Sequence, residues 1–317
     1  TPLFIYIIIL QQVFNMFDKT ILMGKVINTL HENQFETFVT HGSFDIVARR
    51  ENLFLIKTLL NVDALDESHA LDLRTVSYFL SAYPFVISQR NNREHLNDAT
   101  VYSRFKLPVM TPHLFKSMLE EEEMTVTHSS KGRHTQEINA FTLKEKRKES
   151  GFTLEGLAQH IGISKKAMYE IENKRVNPQR ETVRKLERIL AAELTLPYEM
   201  KHTEAVYLKP KDHFQKTVSM EFSRIGIDNS SVHSSPFEII GRESFSLITN
   251  LSTIPSEVKK ELGEIKQLSG ILSSKAVLIS KRSYKESVEG VPIISEQELI
   301  EIHSSKELSK IIDERNF

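Results

Sequence analysis

Cysteine is absent from the 317 residues, which excludes disulfides and thiolate-held metals and fits a reducing compartment, so the cytoplasm is the expected location. Charge of one sign is lacking too. With 41 Lys and Arg against 42 Asp and Glu, the chain as a whole has no field to gather nucleic acid or a membrane surface, and any basic surface has to be local. Long apolar runs are almost missing. The one candidate, "TPLFIYIIILQQVF", runs for about 10 residues before Gln11 and Gln12, too short for a bilayer, and it lacks the basic flank and cleavage site of a secretory signal. No membrane partner is therefore expected. Residues 1–22 read as a non-native or disordered extension, with Met16 and Met23 as alternative starts. The 12 histidines are scattered and none falls in a pattern such as H-E-x-x-H, so neither a metal nor another cofactor is expected.

What is present is length for two or three domains and a repeat. "SFDIVARRENLFLIKTL" (Ser43–Leu59) and "PFEIIGRESFSLITNL" (Pro236–Leu251) share an order of aromatic, acid, two aliphatics, small residue and Arg, then a second apolar run; the second copy reads as having a turn one residue shorter. "FVISQR" (Phe85–Arg90) answers "VLISKR" (Val277–Arg282), and "LPVMTPHLF" (Leu107–Phe115) answers "VPIISEQEL" (Val291–Leu299). Each copy reads as helix, extended segment, hairpin, helix and strand, a mixed sheet with helices packed on it. The first helices are expected near Gly24–Glu32 and Asp212–Ser223, and the second near Glu67–Ser81 and Ser256–Leu272. The expected division is an extension at 1–22, a first α/β domain at 23–119, a linker or weak hairpin at 120–138, a helical domain at 139–196, a linker at 197–210 and a second α/β domain at 211–317.

The helical segment is rich in start and stop signals. Gly151 ends a first helix carrying Leu143 and Arg147, and Arg147 reads as a structural tie. Thr153 caps a second helix, with Leu157 and Ile161 inward, and Gly162 sits in the turn after it. Ser164 caps a third helix whose Ala167, Met168 and Ile171 face inward, leaving Lys165, Lys166, Tyr169 and Asn173 outward. Asn177-Pro178 reads as the cap and first residue of a fourth. From Asn139 to Leu190 there are 12 Lys and Arg against seven Asp and Glu, a local excess of five within a neutral chain.

"LKEKRKESG", "LAQHIGIS", "IENK" and "NP" together resemble the helix-turn-helix of the lambda repressor and Cro family, also called the Xre family, over about 55 residues. The resemblance implies that the helix starting at Ser164 enters the major groove of double-stranded DNA. Lys165, Lys166 and Tyr169 are then base or groove contacts, Asn173, Lys174 and Arg175 approach phosphate, and Thr153 and Ser164 belong to the same surface. Leu154 departs from the family, many members of which carry Gln there.

Each α/β copy also resembles the restriction-endonuclease-like fold, in which an Asp opens the second strand and a Glu-x-Lys ends the third, together holding magnesium. Asp45 and Lys57 fall at matching places, but Leu55 stands at the Glu position, and the second copy reads as Glu238, Leu247 and Thr249. These are vestigial candidates, and no catalytic residue is assigned. The fold class that results is α/β plus all-α: two repeated, degenerate restriction-endonuclease-like domains flanking a central helix-turn-helix domain of four to five helices.

With "SFDIVARR" and "SKRSYKESVEGVP", the whole arrangement resembles a family of archaeal helix-turn-helix transcriptional regulators. That resemblance implies regulation, and together with the helical segment and the charge balance the expected function is a cytoplasmic, sequence-specific DNA-binding regulator, a homodimer without cofactor or enzymatic activity. The alternatives are a magnesium-dependent, structure-selective nuclease targeted by the helical domain, and an antitoxin-like protein that binds a partner protein.

Overall fold

The computed structural model describes residues 18–121, 123–130, 132–253, 259–282 and 285–316. Contacts group the chain into two units, residues 1–92 with 201–317, and residues 93–200. Residues 93–119, expected with the first α/β domain, thus group with the helical segment. Residues 1–17 of the expected extension lie outside the described residues, whereas 18–22 do not form an extension: they open helix α1, residues 18–32. Leu22, Val26 and Leu30 recur every fourth residue along α1 and are buried to 1% exposure or less, the apolar stripe that holds a helix on a sheet.

In the first unit, α1 leads into β1 (Glu36–Val39), β2 (Ile46–Arg49) and β3 (Leu53–Asn61), then α2 (Glu67–Phe79) and β4 (Tyr83–Arg90). β1, β2 and β3 pair antiparallel in sequence, and β4 joins β3 in parallel after the helical crossover. The later elements of this unit, counted in chain order, are α8 (His213–Arg224), β9 (Asp228–Ser231), β10 (Ile239–Arg242), β11 (Ser246–Ser252), α9 (Lys259–Leu272) and β12 (Lys275–Ser280). They repeat the same pairing senses. β13 (Ser287–Val288) and β14 (Val291–Ser295) complete this sheet, with α10 (Glu296–Glu301) and α11 (Ser305–Glu314) after them.

The register corrects one reading of the repeat. Val47 pairs with Leu55 and Arg49 with Leu53 in the first copy; Ile240 pairs with Ile248 and Arg242 with Ser246 in the second. The two hairpin turns are therefore equally long, and the residue missing from the second copy is lost between β11 and β12 instead. Leu55 and Lys57 correspond to Ile248 and Asn250, not to Leu247 and Thr249.

The two copies embrace each other. α2 packs against β10, and α9 against β1 and β2. Arg49 reaches the C-terminal carbonyls of α9, donating from Nε to Ile271 and from Nη2 to Leu272 at 2.9 Å. Its counterpart Arg242 reaches the end of α2, donating to the Tyr78 carbonyl at 3.1 Å and lying 4.8 Å from the centre of the Tyr78 ring. A cation at a helix C-terminus meets the negative end of the helix dipole, and the exchange uses that twice. Between the arginines, the Ser43 amide donates to the Ser234 carbonyl at 2.6 Å, and the Ser43 and Ser235 hydroxyls lie 2.7 Å apart.

The second unit holds β5 (Thr100–Arg104), β6 (Leu107–Met110), α3 (Pro112–Glu120), β7 (Thr127–Ser130) and β8 (Arg133–Thr135), followed by α4 (Ala140–Glu149), α5 (Leu154–Ile161), α6 (Lys165–Glu172) and α7 (Arg180–Leu190). β5 pairs antiparallel with β6 and parallel with β7, and β7 pairs antiparallel with β8. Leu143, Leu157, Ile161, Met168, Ile171, Val183, Leu186 and Leu190 form the core of the four helices. No described helix is long and apolar enough to cross a membrane.

Candidate nucleic-acid interface

Side-chain caps build α4, α5 and α6. The Asn139, Thr153 and Ser164 side chains accept from the amides of Thr142, Gly156 and Ala167 at 3.1, 2.9 and 3.1 Å. Each such cap contributes about 1 kcal/mol by satisfying a donor that the helix cannot. Gly162 closes α5 at φ +81°, a left-handed conformation that glycine adopts without penalty, so α6 leaves the turn at an angle to α5. The expected fourth start is displaced. α7 begins at Arg180 with Gln179 at its cap and no side-chain cap bond, and the Pro178 carbonyl just before it accepts from the Gln136 amide at 3.0 Å.

Arg147 ties α4 to α6. Its Nε and Nη2 donate to the two carboxylate oxygens of Glu172 at 2.6 and 3.0 Å, and Nη1 donates to the Phe152 carbonyl at 3.0 Å. Both charged side chains are nearly excluded from water, and the bond to Glu172 pushes the guanidinium pKa up. Glu172 was not picked out in the sequence, although its spacing from Ile171 and Met168 places it on the edge of the inward face.

With the inward face fixed, the outward face follows. Lys165, Lys166, Tyr169, Asn173, Lys174 and Arg175 are all exposed. Lys165 pairs with Glu155 at 3.0 Å and Arg175 with Glu170 at 3.3 Å, with the Arg175 guanidinium 5.5 Å from the Tyr169 ring centre. Asn173 donates to the Tyr169 carbonyl at 2.7 Å, and Lys174 takes φ +57° as the chain leaves α6. Lys166 has no ion-pair partner among the described residues. An exposed ammonium on the N-terminal half of a helix, beside an aromatic ring and above a basic turn, can donate to base edges while the turn meets phosphate.

The other candidates, Asp45 and Lys57, are brought together in the first unit. Asp45 is 4% exposed and surrounded by donors: Lys57 and Lys19 reach Oδ1 at 3.1 and 3.0 Å, and the Thr58 amide and hydroxyl reach Oδ2 at 2.8 and 2.9 Å. Lys57 also donates to the Gly42 carbonyl at 2.6 Å, and burial pulls its pKa down against the pull of Asp45. Leu55 lies two residues before Lys57, on the same strand face, and is fully buried. Two ammonium groups against one carboxylate leave the site positive, and a fully bonded carboxylate has no lone pair to offer. These residues do not fit a magnesium ion. Among the described residues, no three His, Asp or Glu side chains converge to hold a metal.

Lys19 escaped the sequence reading because it lies beside the apolar run excluded with residues 1–22. Carrying the Leu22–Val26–Leu30 period back one turn would have extended α1 to reach it. In the second copy, Glu238 stands in the place of Asp45, and its Oε2 accepts from the Leu251 amide at 3.1 Å as Asp45 does from Thr58. A cavity of about 440 Å³ beside it is lined by Lys211, Lys281 and Phe214 together with Asp212 and Glu238 itself, so its two lysines are matched by two carboxylates.

Residues 19–124 match the pattern of a PD-(D/E)XK superfamily domain, and residues 143–196 match a helix-turn-helix pattern. A protein of Methanothermobacter thermautotrophicus that carries the provisional name HTH-type transcriptional regulatory protein is 30% identical over 94% of this chain and 98% of its own length. Proteins with the same provisional designation from Methanobrevibacter smithii and Pyrococcus abyssi are each 28% identical, covering 95% and 86% of this chain and 99% and 89% of their own. No solved structure is significantly similar.

Proposed function

We propose that this chain, which belongs to the family of archaeal HTH-type transcriptional regulatory proteins, binds double-stranded DNA as a transcriptional regulator and reads its sequence with α6 in the major groove. The observation that carries the reading is the face of α6: Lys166 free and Tyr169 exposed, over a turn that offers Lys174 and Arg175, on a helix locked from behind by Arg147 and Glu172. Lys165 and Lys166 are assigned to base edges, Tyr169 to a thymine methyl or a phosphate, and Asn173, Lys174 and Arg175 to phosphates. Thr153 and Ser164 hold the two helix starts that face the backbone. One such module buries too little surface for tight specific binding, so the regulator acts as a homodimer on two half-sites about one helical turn apart.

Catalysis is not part of this function. The likeness to PD-(D/E)XK domains and the survival of Asp45 beside Lys57 favour a nuclease ancestry. The present site, with a leucine at the acid position and a carboxylate already shared by two lysines, has no means of holding the metal.

Selection of the purified protein against random duplex DNA, with magnesium present and the products checked for cleavage, tests both parts. Recovery of an intact palindromic motif is expected. Lys166→Ala should then weaken binding to that motif by about 1–3 kcal/mol and relax its base preference. Nicked products that disappear in Asp45→Ala would overturn the non-catalytic reading. Unchanged affinity and preference of the Lys166 variant would overturn the groove assignment.

A further inference from the structure

The hairpin β7–β8 precedes the four helices in sequence but is stitched to the far end of the recognition element. Thr135 of β8 forms a bridge with Gln179, and the Gln136 amide donates to the Pro178 carbonyl at 3.0 Å. Both partners lie in the turn between α6 and α7, after Lys174 and Arg175 and just before the uncapped first turn of α7. Two residues before Thr135 along β8 is Arg133, on the same strand face and roughly 7 Å away along the strand. Arg133 and His134 are exposed, and Arg133 has no ion-pair partner among the described residues. The nearest acid on α7, Glu181, lies 3.5 Å from Lys185.

Backbone hydrogen bonds on both sides of the joint give the hairpin a fixed place beside the turn. The antiparallel bridge carries Arg133 toward the exposed Arg180 at the start of α7, and a guanidinium held there with no ion-pair partner among the described residues fits an extended row of negative charges better than a single small anion.

We propose that the β7–β8 hairpin is a second DNA contact, in which Arg133 grips the phosphate backbone next to the stretch engaged by the turn after α6. This rests on the reading of α6 as a DNA-binding helix and adds to it a clamp outside the four-helix module. The contact carries no sequence information; it supplies affinity and fixes orientation.

The test uses full-length protein and a fluorescent random-sequence duplex about three helical turns long, with dissociation constants measured by anisotropy across a series of salt concentrations. Arg133→Ala is expected to weaken binding several-fold at low salt and to flatten the slope of log affinity against log salt by about 0.9, the signature of one lost phosphate contact, while Arg133→Lys retains the slope. Arg133 is exposed and at a hairpin end, so an unchanged circular dichroism spectrum is expected. If wild type binds the duplex and Arg133→Ala has the same slope and affinity, the hairpin contact is overturned and the α6 reading stands. If wild type binds no duplex even at low salt, both are overturned.

Discussion

Glu238 and Asp45 occupy the same position in the two copies and differ in what surrounds them. Asp45 has two bonded lysines, whereas at Glu238 the position of Lys57 is taken by Asn250. Burial then dominates and raises the Glu238 pKa above the usual 4.5. A raised carboxyl pKa means that the folded chain holds the proton to higher pH than the unfolded chain does. The favourable contribution is present at low pH and is lost as pH rises through the folded pKa. Glu238→Gln keeps an acceptor for the Leu251 amide and removes the titration. Its thermal midpoint should exceed that of wild type at pH 7 and coincide with it at pH 4, as followed by circular dichroism. A lower midpoint at pH 7 would mean that the carboxylate stabilises the fold.

At the scale of elements, α4 and α6 are held by one buried ion pair, with side chains 9% and 3% exposed. Removing one partner strands the other in a poorly solvated place, so Arg147→Ala should cost about 3–5 kcal/mol and accelerate hydrogen exchange at the amides of α6. Protection equal to wild type would show that the apolar core alone positions α6. The starts of α4, α5 and α6 were legible in the sequence because their caps are local: Asn139, Thr153 and Ser164 each bond an amide three residues on. The start of α7 was not, because no side chain caps it and the backbone before it is bonded instead to Gln136, some 40 residues upstream. The β10–β11 register was hidden for another reason. Buried residues run along both faces of these strands, so no alternation of apolar and polar residues marks which face is which, and a shift of one residue looks equally good. Asp45 and Lys57 were readable as a pair, whereas their partner Lys19 was hidden by the apolar run before it.

For the whole molecule, the duplication pairs with itself. The faces crossed by Arg49 and Arg242 are occupied within the chain, so a second protein copy has to use other surfaces. Gly42 marks how closely the copies approach. A Cβ there would lie 2.0 Å from the Ser234 carbonyl oxygen, and the backbone stands at φ +105°. Gly42→Ala should therefore destabilise the α/β unit by about 1–3 kcal/mol while the unit formed by residues 93–200 melts as in wild type. Calorimetry that resolved two transitions, both unmoved, would disprove the tight joint. The chain order has a further consequence during synthesis. The α/β unit is written in two instalments, and residues 93–200 emerge from the ribosome between them. At about 5–20 residues per second, β1 to β4 wait several seconds or more for the second instalment, long enough for the interposed unit to fold first. A nascent chain arrested once residues 93–200 had cleared the exit tunnel would already carry the folded α4–α7, while the opening half of the α/β unit still awaited its mate.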